Sequence, residues 1–166
     1  MTAPQWAQDL VLQVALDEGR DDVPELTWHR SKRSAFSSGR TWHTSSRIHV
    51  TAGTQRRQTQ IPYRSGKRTG QVSVRAEQKL VLLHEVAHWL TPFEKQAVTY
   101  GRGGDWYDRD GNKADAPTGT RYLSHTATFW DTAWRLFRRY KVPLTYAKVR
   151  EGNYRKGALI AARKRS

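Results

Sequence analysis

Between residues 5 and 18, apolar side chains recur every three or four positions, and Trp6, Leu10, Val11, Val14 and Ala15 form one stripe. That spacing predicts an amphipathic helix, with Pro4 suited to its first turn and Gly19 to the position just past its end. Residues 25–30 and 46–51 read as strands, and part of 40–45 offers a third. Ser38-Gly39-Arg40, inside the basic, serine-rich stretch from Ser31 to Thr41, reads as a turn. Residues 52–72 are rich in glycine, glutamine and arginine without periodicity, which predicts a long loop or a disordered excursion. Residues 74–90 return to a strong apolar body, with Val81, Leu82, Leu83, Val86, Ala87 and Leu90, as expected of a helix in a core. Thr91-Pro92 should end it, because a residue before proline is pushed out of the α region. A second long loop is expected over 91–123, punctuated by Gly101, Gly103, Gly104, Gly111 and Gly119. Ser124 is suited to capping a helix over 125–140, where Ala127, Trp130, Ala133, Trp134 and Phe137 share a face. Pro143 breaks that helix, and 144–163 can form a basic one. There is no internal repeat. The expected division is a folded domain over 1–143 and a basic C-terminal helix or tail over 144–166.

The motif helix contains His84-Glu85-Val86-Ala87-His88. Histidines at i and i+4 project from one helical face, one turn apart, and can bind a single zinc ion at about 2.0–2.1 Å each. In this spacing the glutamate beside the first ligand takes a proton from the attacking water instead of binding the metal. Catalytic zinc usually has three protein ligands and an open position. The metzincin arrangement needs a histidine six residues after His88 with a glycine midway, but those positions are Glu94 and Thr91. Glu151 lies far off in the basic tail, which leaves His125 as the best third ligand. His29, His43 and His49 fall in polar, strand-like segments suited to a surface or a substrate groove.

Charge adds a partner to this picture. The 166 residues hold 29 Lys and Arg against 15 Asp and Glu, a net charge of +14. Such an excess predicts attraction to a polyanion, nucleic acid first. Cysteine is absent, which excludes disulfides and cysteine-rich zinc fingers. The apolar run Leu10 to Leu16 is broken by Gln13 and has no basic leader, so neither a signal peptide nor a membrane span is expected there. Most of the seven tryptophans should fill the core. Trp106 and Tyr107, flanked by Asp105 and Asp108, are the exception and could stack on bases. Asp105 to Gly111 has only a faint likeness to a calcium loop, since the ligand at the twelfth position is missing.

Trp28 and Arg30 on a first strand, Ser38-Gly39-Arg40 ahead of Ile48 and Val50, the core Leu83 to His88, and His125-Thr126-Ala127-Thr128-Phe129 occur in that order. With this set the chain resembles the SprT-like zinc metallopeptidases, in particular the small HExxH metallohydrolases of bacteria and phages. The family commonly writes its last element His-Gly-x-x-Phe; here Thr126 takes the glycine's place and Phe129 is kept. The resemblance spans roughly residues 25–140. It implies a zincin-like α+β fold, a small antiparallel or mixed sheet packed on the motif helix and on a second ligand-bearing helix. It also implies one zinc ion per chain on His84, His88 and His125, Glu85 as general base, and a protein or peptide substrate. Some members degrade proteins attached to DNA, a role with which the net charge is compatible; the expected setting is a cytoplasmic monomer in a bacterial or phage-infected cell. Tyr122, Tyr100 and Tyr107 are candidates for stabilising the oxyanion. Two other functions compete: a nucleic-acid-binding protein with a non-catalytic zinc site, and a hydrolase of a non-protein amide such as a cell-wall peptide. The intact Glu85 favours hydrolysis, because a structural site gains nothing from it.

Overall fold

The computed structural model describes residues 2–63, 66–91, 94–97 and 120–163. It is an α+β structure with four helices and a mixed three-stranded sheet. Helix α1 (Gln5–Asp17) buries Ala7, Val11, Val14 and Ala15, and Gly19 follows it at φ +64°, a left-handed conformation that glycine adopts without cost. Strands β1 (Glu25–Ser31), β2 (Ser38–Trp42) and β3 (Arg47–Gly53) form the sheet in the order β1-β3-β2. The β1–β3 pairing is parallel and β2–β3 antiparallel, which leaves β2 on an edge. Ile48 and Val50 alternate inward from the central strand, the period-2 burial of a half-covered sheet.

The stretch 52–72 departs from the expected loop. Strands β4 (Arg57–Tyr63) and β5 (Gly66–Val72) pair antiparallel in a hairpin, with Arg57 opposite Val72 and Tyr63 opposite Gly66. Backbone ladders need no apolar alternation, so a polar hairpin leaves little trace in a hydrophobic pattern. Part of the second expected loop is also paired. Strand β6 (Glu94–Ala97) lies antiparallel to β7 (Thr120–Leu123), so the two ends of that excursion are drawn together. The expectations for Trp106, Tyr107, Tyr100 and the Asp105 to Gly111 segment lie outside the described residues.

Helix α2 (Val74–Leu90) runs through the centre and is buried on nearly every side. Its N-terminus is capped by Ser73, whose Oγ accepts the Ala76 N–H at 3.1 Å, and Thr91 ends it in an extended conformation. Helix α3 (Ala127–Arg139) packs on α2 and buries Phe129, Trp130, Ala133, Trp134, Leu136 and Phe137. Helix α4 (Leu144–Arg163) begins where the sequence suggests, but it is no detached tail: Tyr146 and Ala147 belong to the same core as Leu80, Leu83 and Phe137. Trp28, Trp89, Trp130 and Trp134 are buried, and Trp6 packs edge-on against Trp28. No helix among the described residues is long and apolar enough to cross a membrane.

Candidate metal centre

His84 and His88 leave α2 on the face that α3 covers, as their i, i+4 spacing requires. His125 arrives from the other side of the chain. Strand β7 leads directly to it, and the β6–β7 ladder returns the chain to the end of α2 after the long excursion. The helix cap is Thr126, not Ser124: the Thr126 Oγ1 accepts the Phe129 N–H at 3.2 Å. His125 therefore sits one residue before the cap, outside the helix, where its ring reaches across to α2.

The three imidazoles converge through their Nε2 atoms. His125 Nε2 lies 3.1 Å from His84 Nε2 and 3.1 Å from His88 Nε2. Two nitrogens bound to one tetrahedral zinc at 2.0–2.1 Å would stand about 3.3–3.4 Å apart. The observed spacing is close to that of a bound set. One ligand atom from each histidine falls within 4.8 Å of the others, and these three are the only such cluster of potential ligands among the described residues. Apolar rings fix two of them: Phe129 stacks on His88 and Trp130 on His125. His29 is exposed, while His49 pairs with the Thr27 and Thr51 hydroxyls at 2.9 and 3.2 Å. His43 is half-buried and also lies outside the cluster.

Protonation favours a cation at the centre. Burial holds His88 well below the ordinary imidazole range, and the charges of His84, His125 and His43 add to it. His125 is exposed as a residue, yet the loss of water around its ring and the charge on His84 push it down to about 4. Both are neutral near pH 7, the form that ligates metal. His84 differs. Burial opposes its charge, but the hydrogen bond and the negative charge of Glu151, joined by Glu85, outweigh that and raise its pKa. His84 Nδ1 lies 2.9 Å from Glu151 Oε2. With the Nδ1 proton donated there, the Nε2 lone pair faces the centre, where a proton and a metal ion compete for it. The donor set, three nitrogens and no thiolate, suits zinc and other divalent transition ions.

Glu85 is 5 % exposed and points from α2 toward β2. Thr41 Oγ1 lies 2.8 Å from Glu85 Oε2 and 2.9 Å from the Glu85 carbonyl, able to donate to either. Burial raises the carboxyl's pKa, while the charge of His84 and the Thr41 hydrogen bond pull the other way. Gly39 lies two residues before Thr41 on the same face of β2. A Cβ there would stand 2.3 Å from Glu85 Cγ and 2.8 Å from its Cδ and Oε1. Gly39 is thus a strand residue that makes room for the carboxylate, where the sequence suggests a turn.

Sequence reasoning missed Gly39, Thr41 and Glu151. A glycine inside a strand marks close approach, and that was the available signal for the first. For Glu151 the signal was its isolation, as the one acidic residue of α4. The sequence places Glu151 far from the motif in a basic tail, but in the fold it contacts His84 across 67 residues of chain. Tyr122 lies on β7, but its side chain is outside the described set, as are Tyr100 and Tyr107. No family model, curated protein or solved structure matches this chain.

Proposed function

We propose that this chain is a zinc metallopeptidase with a zincin-like, SprT-like catalytic domain. One observation carries the proposal: three imidazole Nε2 atoms converge beside a buried carboxylate that has its own strand-borne cradle. A structural site would need the first feature and not the second. His84, His88 and His125 would hold the ion, one per chain. When bound, zinc supplies a Lewis acid that polarises a carbonyl and lowers the pKa of water from about 15.7 toward about 7. Glu85 then accepts the water's proton at its carboxylate and passes it to the leaving amide nitrogen. Burial brings its pKa nearer to neutral, which suits a group that must both take and give a proton. Thr41 holds one carboxylate oxygen and leaves the other for the proton. Among the described residues β2 pairs with β3 alone, so its outer edge can receive an extended peptide as an added strand beside Glu85.

A second observation, the net charge of +14, supports nucleic acid as a partner. The fold brings basic segments together: Thr54 Oγ1 donates to the Ser31 carbonyl and Gln55 Nε2 to the Lys32 carbonyl. Exposed Arg30, Lys32, Arg33 and Arg56 therefore share one region. A peptidase acting on nucleic-acid-associated protein unites both observations; a binding protein with an inert zinc site is the alternative.

Glu85→Gln separates them. Glutamine keeps the shape and cannot accept the proton, so the variant should bind zinc like the parent and lose cleavage of unfolded or DNA-bound protein. Equal turnover by both removes Glu85 as the base. A zinc-loaded parent that cleaves none of these substrates favours the binding protein.

A further inference from the structure

Helix α4 reaches the motif helix at two points. Glu77 and His84 are seven residues apart on α2, two turns along one face. At the first point the buried Glu77 carboxylate accepts the Ser37 N–H at 2.9 Å and the Tyr146 hydroxyl, with Arg150 Nη2 at 3.6 Å. Arg150 also donates to the Ser37 carbonyl at 3.2 Å. At the second point, one residue further along α4, Glu151 meets His84. Both are largely buried, with side-chain exposures of 15 % for His84 and 10 % for Glu151. The first contact holds α4 against α2, and the second is a separate contact one residue further along the helix.

The three histidines are not equally supported. His125 Nδ1 has Ser124 Oγ at 3.3 Å, and the buried His88 Nδ1 has no hydrogen-bond partner among the described residues. Among the described residues, His84 alone of the three has a carboxylate on its outer nitrogen. Burying an unpaired carboxylate is costly, and an apolar side chain would serve α4 packing better at this position. The placement makes sense for a group whose partner must present one particular nitrogen.

We propose that Glu151 is a positioning residue of the metal centre: its carboxylate holds the His84 ring in the Nδ1–H tautomer and aims Nε2 at the ion. This makes α4 part of the site. The proposal rests on the metal reading above and is distinguishable from it. A carboxylate behind a ligating imidazole raises the ligand's basicity and fixes its orientation, and its loss typically costs about 10–100-fold in metal affinity.

The test measures zinc affinity by chelator competition in the parent, Glu151→Ala, Glu151→Gln, His125→Ala and Tyr146→Phe. The absorption spectrum of each cobalt-substituted protein and the His84 Nδ1 proton resonance are recorded alongside. Glu151→Ala should lower affinity about 10–100-fold, shift the cobalt bands and abolish the proton resonance. Glu151→Gln keeps an acceptor oxygen in place, so it should fall between parent and Glu151→Ala; it also serves if the alanine variant does not fold. Tyr146→Phe loosens the α4 anchor without touching His84, and should lower the melting temperature while leaving zinc affinity near the parent's. If His125→Ala loses zinc and both Glu151 variants keep it, the metal centre stands and the role of Glu151 is overturned. Tyr146→Phe weakening zinc as much as Glu151→Ala would also overturn it, since helix docking would then be the cause. If no variant changes zinc binding, both readings fall.

Discussion

Replacing Gly39 with alanine tests the cradle of Glu85 without touching a metal ligand. The backbone at Gly39 is not in the left-handed region, so alanine fits the strand itself. On that ground alone the change should stabilise the protein by about 0.4–1 kcal/mol, by restricting the unfolded chain. Against it stands the new Cβ at 2.3 Å from Glu85 Cγ. That atom is near the root of a buried side chain, so the conflict cannot be relieved by moving a flexible tip. Overpacking of this kind costs about 1–3 kcal/mol. Less the gain of about 0.4–1 kcal/mol, the net loss is up to about 2.6 kcal/mol, so for a chain of 166 residues, at about 2–4 °C per kcal/mol, the melting temperature should drop by up to about 10 °C. In a Glu85→Ala background all three clashing atoms are gone. There Gly39→Ala should raise the melting temperature by about 1–4 °C. The sign should therefore reverse between backgrounds, and calorimetry of the four proteins reads it directly. Turnover is the second readout. A base displaced by about 1 Å loses on the order of 10²-fold, equivalent to about 2.7 kcal/mol of barrier. Zinc affinity should stay at the parent's value. Equal shifts in both backgrounds would show that Gly39 does not make room for Glu85, and the assignment of β2 as the wall behind the base would be wrong.

His125→Ala removes the proposed third ligand, so chelator competition should show a larger loss of zinc affinity than the roughly 10–100-fold that removal of a supporting contact causes; retention of full affinity refutes the assignment. In chelator-treated protein, His88 and His125 stay neutral where the unfolded chain, with imidazoles near 6.5, takes up protons. Stability should therefore fall as pH drops from about 6.5 toward about 4, and the urea midpoint should follow it, with a shallower fall in His125→Ala. His84 has the opposite sign: its raised pKa contributes stability below 6.5 that fades as pH rises through the folded value. Nucleic-acid affinity should fall linearly with salt on logarithmic axes, by about 0.9 per neutralised phosphate on duplex and about 0.7 on single strands. Alanine at Lys32, Arg33 and Arg56 should flatten that slope; no binding to either form at about 50 mM salt removes the partner.

The sequence by itself determined the helices and which candidate ligands they carry. Apolar periodicity located 5–18, and the apolar body around the histidine pair located 74–90, each to within a residue of the observed helix. Local spacing placed His84 and His88 on one face and Glu85 beside them. His125 was legible by elimination, though only the β6–β7 pairing explains how it returns to α2. What the tertiary structure decided lies at long range. Thr41 meets Glu85 across 44 residues and Glu151 meets His84 across 67. No local spacing encodes such contacts: they follow from which elements pack together, and a glutamate in a basic helix looks the same whether it faces water or a histidine. The polar hairpin over 57–72 escaped for a related reason, since its pairing is carried by backbone groups that every sequence possesses. Gly39 shows both limits at once. Its residue type announced a special position, but only the approach of α2 decided that the vacancy belongs to a carboxylate and not to a turn.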